Sequence, residues 1–173
     1  MNKIEYMYFD SPLGEMVAGA TDNGICFLEW EDRGGIERIL KRVSKRYKMQ
    51  AVQVKENKYI KQLQKELKQY FDGKLDTFEV PLDYTGTKFE QQVWDRLLKI
   101  KHGEIKSYGQ IAKEVNNPKS VRAIGKANGA NYISIVIPCH RVIASDGKLT
   151  GYGGKLWRKK YLLELESKSL ALL

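Results

Sequence analysis

A mostly apolar run, residues 133–137, ends at Pro138 and is followed directly by Cys139, His140 and Arg141. A short apolar run is typical of a buried strand or extended segment, so any fold of this chain has to bury it. Pro138 has no amide hydrogen and holds the residue before it in extended geometry, which ends the run. The fold therefore has to place a thiol beside an imidazole and a guanidinium group at the end of an interior segment.

Cys139 supports two interpretations. Nearby positive charge lowers the pKa of a cysteine from ~8.5 to about 3.5–7.5 and so favours the nucleophilic thiolate. A lone cysteine is more often a small buried hydrophobe that packs in a core. The residue types alone leave both interpretations open.

The first 84 residues predict a small α/β domain with no recognisable chemistry. Asp22-Asn23-Gly24 is a strong hairpin signal between two apolar strands, and Asn57 is a candidate cap for a helix. Cys26 falls in an apolar strand, where we expect it to be part of the core. The expected elements are strands 4–9, 16–20, 25–30 and 51–54 and helices 36–47 and 58–72.

Residues 75–85 are expected to form a linker, which divides the chain into domains 1–84 and 85–173. Thr87-x-x-Glu90 and Ser107-x-x-Gln110 are capping boxes, and they predict one helix that ends at Gly103 and a shorter one that ends at residue 115. A tight turn at 116–118 and a third helix, basic on its outer side, complete a helix-turn-helix pattern. Such patterns are weak evidence of DNA binding on their own.

Pro138-Cys139-His140-Arg141-Val142 resembles the active-site signature of the O6-alkylguanine-DNA alkyltransferases. These repair proteins transfer an alkyl group from guanine O6 to their own cysteine. The likeness covers roughly the last half of the chain, in the family's order and spacing. The other matching segments are 107–112, Asn117-Pro118, 122–125, Asn131 and 151–154.

The resemblance implies a two-domain α+β fold. It pairs a small N-terminal α/β domain of the ribonuclease H-like type with a helical C-terminal domain of the winged-helix or helix-turn-helix type. It also implies that Cys139 is the nucleophile, His140 the base acting through a water, and Glu166 the carboxylate that orients His140. Spacing in the last helix, which we expect from about Leu156, separately places Glu166 beside the apolar face, where a carboxylate needs a partner.

Roles in DNA binding follow from the same resemblance. The target base lies inside a duplex, so it has to be turned out to reach a pocket. Tyr108 would assist this rotation and give the guanine ring a proton or hydrogen bond. Arg122 would enter from the minor groove, where sequence readout is degenerate, and fill the gap that the rotated base leaves in the stack. The remaining implied roles are backbone contacts for Asn117 and Ser145, the guanine pocket for Val142, Tyr152 and Gly153, and a buried hinge for Asn131.

Two residues depart from the family pattern. Tyr132 follows Asn131 where relatives often have proline, which predicts a less rigid hinge. Gly153 stands where some members have serine, so a contact to guanine O6 there would come from the backbone. Neither departure involves the nucleophile.

The charge distribution favours a polyanionic partner. Residues 85–173 carry 16 Lys and Arg against 7 Asp and Glu, a net charge of +9, whereas residues 1–84 carry 14 of each. The whole basic excess lies in the half that contains Cys139, which points to nucleic acid there. The expected partner is double-stranded DNA with an alkylated guanine, bound by a monomer.

No cofactor or metal is expected. Only Cys26 and His102 lie outside the signature among the Cys and His residues, and this is too few for a zinc site. The sequence has no run long enough to span a membrane and no leader-like segment, so we expect a cytoplasmic protein, or a nuclear one in a eukaryote.

Two other functions compete with irreversible, single-turnover repair. A winged-helix regulator would bind a specific DNA sequence and have an unreactive Cys139. A cysteine hydrolase using Cys139 and His140 would turn over an acyl substrate many times and would leave the helix-turn-helix unexplained. The full signature favours repair of O6-alkylguanine after base flipping, and the sequence leaves open whether O4-alkylthymine is also accepted.

Overall fold

The first part of the chain contains a four-stranded sheet, and two of its strands are almost entirely buried. The computed structural model describes residues 2–149 and 151–171, and the chain divides into two units, Met1–Thr85 and Gly86–Leu173. The first unit contains strands β1 (Lys3–Ser11), β2 (Gly14–Thr21), β3 (Gly24–Trp30) and β4 (Gln50–Gln53) and helices α1 (Ile36–Tyr47) and α2 (Lys58–Phe71).

The sheet order is β3-β2-β1-β4. β1 and β3 pair antiparallel with β2, and β4 pairs parallel with β1. Every residue of β3 is buried, including Cys26. The Asn57 side chain accepts the amide hydrogens of Tyr59 and Ile60 in the first turn of α2, as expected for a cap. The expected strands and helices of this half are therefore present, within a few residues of their predicted bounds.

The predicted linker is partly wrong, because its last residues belong to the first unit. Ile25 donates its amide hydrogen to the Pro81 carbonyl at 2.8 Å and accepts the Asp83 amide at 2.8 Å. Gly24 has a φ of 146°, and a Cβ there would lie 2.4 Å from the Pro81 carbonyl oxygen, so glycine allows this close approach. Apolar alternation cannot reveal such pairing, because the segment contributes only a single bridge to the sheet.

The second unit is mainly helical. It contains α3 (Lys88–Leu97), β5 (Lys106–Ser107), α4 (Tyr108–Glu114), α5 (Val121–Gly129), β6 (Val142–Ile143) and α6 (Leu156–Ala171). Both predicted capping boxes are formed. The two-domain α+β fold is therefore confirmed. No helix within residues 2–149 and 151–171 is long and apolar enough to cross a bilayer.

The first helix of this unit ends earlier than predicted. α3 stops at Leu97, and the amides of Lys99 and Ile100 bond to carbonyls three residues back, at 3.1 and 3.0 Å. This tighter turn keeps Ile100 buried, which explains why the apolar spacing continued past the helix end.

Candidate active site

The apolar run before the cysteine forms a compact turn, and the predicted strand is wrong. The Ile137 amide bonds to the Ile133 carbonyl at 3.0 Å, which closes the run. Ile135 has a φ of 70°, a left-handed conformation that β-branched residues rarely adopt. The run is buried, as expected, and a short 3-10 turn, Cys139–Arg141, follows Pro138.

Asn131 explains this turn. Its side chain is buried, and Nδ2 donates to the carbonyls of Ile133 at 3.3 Å and Ile137 at 2.9 Å, while Oδ1 accepts the Ile133 amide at 3.0 Å. These bonds satisfy backbone groups that a strand would pair in a sheet. Asn131 thus lies between α5 and the cysteine turn, where the predicted hinge would have to be.

Tyr132, the residue after Asn131, packs in the interior. It is buried, and its ring meets the ring of Trp94 edge-on, with 6.0 Å between centroids. The Trp94 indole donates to the Ala127 carbonyl at 2.9 Å. Aromatic packing against α3 and α5 therefore restrains the segment at this position.

The cysteine turn holds a buried network of charged groups. His140 Nε2 lies 2.8 Å from Oε2 of Glu166, and both side chains are buried. Arg141 binds the same carboxylate through Nε at 2.8 Å and Nη2 at 2.9 Å, and its Nη1 donates to the Ile100 carbonyl at 2.6 Å. The sequence predicted His140 as the partner of Glu166, and it missed Arg141.

The network fixes the protonation of both partners. Burial alone would raise the pKa of the Glu166 carboxyl, but the hydrogen bonds from His140 and Arg141 and the charge of the guanidinium hold that pKa well below its usual range. Burial lowers the pKa of His140; Glu166 opposes this, and the charges of Arg141 and Lys159 add to it. At neutral pH, an ionised Glu166 therefore accepts the hydrogen on Nε2, and Nδ1 of a neutral His140 keeps its lone pair.

Lys159 is a functional candidate that the sequence analysis missed. Its side chain is fully buried; the ammonium donates to the Val142 carbonyl at 2.6 Å and lies 6.0 Å from the centroid of the Tyr108 ring. Burial lowers the pKa of Lys159, and a charged Cys139 raises it. Since that attraction is mutual, the ammonium favours the thiolate of Cys139. Helical spacing with Leu162 and Glu166 was the available signal, because it places Lys159 on the buried stripe of α6.

A short parallel pair of strands brings Tyr108 into this region. Lys106 pairs with Val142 and Ser107 with Ile143, in parallel. The residues that follow β5 and β6 therefore begin at the same end of this strand pair. A Cβ on Gly109 would lie 3.7 Å from Ser145 Oγ, which shows that the two segments are adjacent. Tyr108 and the cysteine turn are therefore brought near each other, with Lys159 beside both.

The other predicted site residues lie on or near the surface of the same unit. Arg122 is exposed in the first turn of α5, Asn117 is exposed in the turn between α4 and α5, and Ser145 is exposed after β6. Ahead of α6, Tyr152 is half-buried and Gly153 is exposed, whereas Val142 is buried. Their contacts with DNA or guanine stay predictions. Within residues 2–149 and 151–171, no group of three or more His, Cys, Asp or Glu could hold a metal ion.

Two family profiles match the chain, one for each unit. Residues 4–84 match the ribonuclease-like domain of 6-O-methylguanine DNA methyltransferase, and residues 88–168 match its DNA binding domain. The chain belongs to the 6-O-methylguanine DNA methyltransferase family. The resemblance seen in the sequence is thereby confirmed.

Similar methyltransferases come from archaea and bacteria. The methylated-DNA–protein-cysteine methyltransferase of Methanosarcina acetivorans is 37% identical over 161 residues, which cover 93% of this chain and 97% of the relative. That of Haemophilus influenzae is 36% identical over 167 residues, covering 96% and 88%. That of Mycobacterium bovis is 55% identical over 101 residues, covering 58% and 61%.

Solved structures of methyltransferases share the fold over nearly the whole chain. The crystal structure of Mycobacterium tuberculosis OGT in complex with DNA has a TM-score of 0.82 and 38% identity, and it covers 95% of this chain and 94% of that one. The O6-methylguanine-DNA methyltransferase of Pyrococcus kodakaraensis has a TM-score of 0.69 and 28% identity, covering 94% and 98%. The likeness therefore extends to the N-terminal half, where no chemical motif was found.

Proposed function

We propose that this protein repairs DNA by transferring the alkyl group of O6-alkylguanine in a duplex to Sγ of its own Cys139, once per molecule and as a monomer. One observation carries the proposal. Cys139 and His140 are neighbours in a buried 3-10 turn, and the imidazole of His140 lies 2.8 Å from the carboxylate of Glu166 on α6, in the unit that also carries the helix-turn-helix. Family membership supports the same reaction.

The first step activates the thiol. Cys139 passes its proton to Nδ1 of His140 through a bridging water. With this water, the side chains of the two adjacent residues need not be in direct contact. Nδ1 takes the proton, since Nε2 is held by Glu166 at 2.8 Å. The imidazolium that forms is stabilised by the ionised carboxylate, and the thiolate by the ammonium of Lys159.

The second step is a displacement at the alkyl carbon. A bond forms from Sγ to that carbon, and the bond from the carbon to guanine O6 breaks with its electron pair moving into the ring. The ring takes a proton from the Tyr108 hydroxyl, which recovers one from His140 through solvent. The products are an alkylated Cys139 and ordinary guanine, and no group in the site can break the new thioether bond.

Access to the lesion depends on the exposed face of α4 and α5. Arg122 takes the place of the flipped nucleotide, and Asn117 and Ser145 contact the backbone. The exposed positions of these three residues and the net charge of +9 in residues 85–173 support this assignment. The pocket for the flipped base is lined by Val142, Tyr152 and Gly153.

The test is intact and peptide mass spectrometry after incubation with a duplex that contains one O6-methylguanine. We expect one added methyl group per molecule, located on Cys139, with no further turnover. Cys139→Ala should bind the methylated duplex without clearing it, and Cys26→Ala should behave as the wild type. Repeated turnover, or transfer that survives Cys139→Ala, would contradict the mechanism. Binding of the lesion without transfer would indicate damage recognition, and no lesion preference would favour a winged-helix regulator.

A further inference from the structure

Asn128 links the last turn of α5 to the cysteine. Its side chain is 3% exposed, and Nδ2 donates to the Cys139 carbonyl at 3.3 Å. Only the amide nitrogen can donate to a carbonyl, so this bond fixes which end of the amide is which. Oδ1 is then a buried acceptor, and it has no hydrogen-bond partner among residues 2–149 and 151–171.

His140 presents a second buried acceptor of the same kind. Its Nε2 is bound to Glu166, and Nδ1 is without a hydrogen-bond partner in the part of the chain that the structure describes. Asn128 bonds to the backbone carbonyl of Cys139, and His140 is the next residue in the chain, so both acceptors belong to residues that adjoin Cys139. Buried acceptors are costly unless a donor reaches them, and two beside one reactive group call for a shared explanation.

A single water fits the hydrogen-bonding capacity of these three groups. It has one hydrogen for each acceptor and a lone pair for the S–H hydrogen. We propose that Asn128 is a positioning residue for alkyl transfer, which anchors through Oδ1 the water that carries the Cys139 proton to His140. This inference rests on the proposed function and names a residue outside the cysteine, histidine and glutamate relay.

The role of the amide follows from the proton path. The water gives one hydrogen to Nδ1 of His140 as it takes the hydrogen of the Cys139 thiol. The water donates its other hydrogen to Oδ1 of Asn128 in a hydrogen bond, and this bond keeps a lone pair of the water directed at the thiol. The relay is thereby anchored to α5, the helix whose first turn carries Arg122.

The alternative role for Asn128 is purely structural. The Cys139 carbonyl also accepts the Val142 amide, so the backbone of the turn keeps one bond to this carbonyl when Asn128 is replaced. If the bond from Asn128 to the backbone were all that mattered, its loss would slow transfer equally at every pH. A role in the proton relay predicts a defect that depends on pH and on His140.

The experiment measures single-turnover methyl transfer from an O6-methylguanine duplex between pH 6 and 9, for the wild type, Asn128→Leu, His140→Ala and the double variant. Leu is close to Asn in shape and cannot hydrogen bond. We expect Asn128→Leu to be about tenfold slower at pH 7, since positioned proton transfer typically contributes about 10²–10⁴ in rate. The defect should shrink as the pH rises, because a growing share of the thiol is then ionised without the relay. The double variant should be no slower than His140→Ala.

Three results would overturn the inference: a rate within twofold of the wild type, a defect that is constant with pH, or a double variant slower by the product of the two defects. If Asn128→Leu does not fold, Asn128→Ala and Asn128→Ser replace it, and the hydroxyl of Ser should recover part of the rate that Ala loses. Equal rates for Ala and Ser would count against the inference. Absence of transfer in the wild type would overturn the proposed function itself, so the two failures are distinguishable.

Discussion

Replacing Glu166 with Gln tests how strongly the buried charges hold the second unit together. Gln keeps the shape but loses the charge that pairs with Arg141 at 2.8 and 2.9 Å and with His140 at 2.8 Å. Hydrogen bonds to charged groups contribute about 1.5–3 kcal/mol each. The sum for all three overstates the loss of folding stability, because the Gln carbonyl still accepts one of them. The larger effect is an Arg141 guanidinium left buried without a counter-ion, which costs about 3–5 kcal/mol.

Urea denaturation followed by amide hydrogen exchange in α3, α4 and α5 measures the second unit separately. With a slope of about 1–3 kcal/mol per molar urea, the midpoint should fall by at least about 1 M. Glu164→Gln is the matched control, because Glu164 is exposed on the same helix and its loss should change the free energy of unfolding by less than about 0.5 kcal/mol. A loss below about 1 kcal/mol for Glu166→Gln would refute the reasoning, since Arg141 would then have another counter-ion or access to water.

Three further predictions concern the reaction and its access. Burial lowers the pKa of His140 from 6.5, so the base stays neutral and the transfer rate should be level above that pH and fall only below it; a midpoint at or above 6.5 in the pH–rate profile would contradict this. Burial raises the pKa of Cys26, so iodoacetamide should label Cys139 first in the folded protein, and equal labelling by peptide mass would be the contrary result. Arg122→Ala should slow repair of duplex DNA far more than reaction with free O6-benzylguanine, and equal losses in the two assays would argue against its role in base flipping.

Local signals were enough wherever the chemistry of a few neighbouring residues decides the structure. The Ser107 capping box predicted the start of α4, and the structure has both of its reciprocal bonds, from the Ser107 amide at 2.8 Å and from the Gln110 amide at 3.1 Å. The same holds for the Thr87 box and for the hairpin at Asp22-Asn23-Gly24. Each depends on residues within about one turn of chain.

Local signals failed where a distant or unusual partner decides. Ile133, Ile135 and Val136 favour a strand, but the three side-chain bonds of Asn131 close the segment into a turn. Arg141 was expected only as a positive charge near the thiol, and its buried guanidinium is bound by Glu166 and by the Ile100 carbonyl, 41 residues away in sequence. A charged side chain is normally exposed, so nothing local predicts that it will be enclosed.

The burial of Cys139 has a consequence for the protein after it has reacted. Cys139 is only 7% exposed, so the atoms around it are mostly protein. A methyl group added there is equivalent to a small-to-large substitution in a core, which typically costs about 1–3 kcal/mol. Each transfer should therefore lower the folding stability of the protein, and a bulkier alkyl group should lower it further. Alkylated and unreacted molecules should then differ in melting temperature, so thermal unfolding of a mixture would distinguish the two forms.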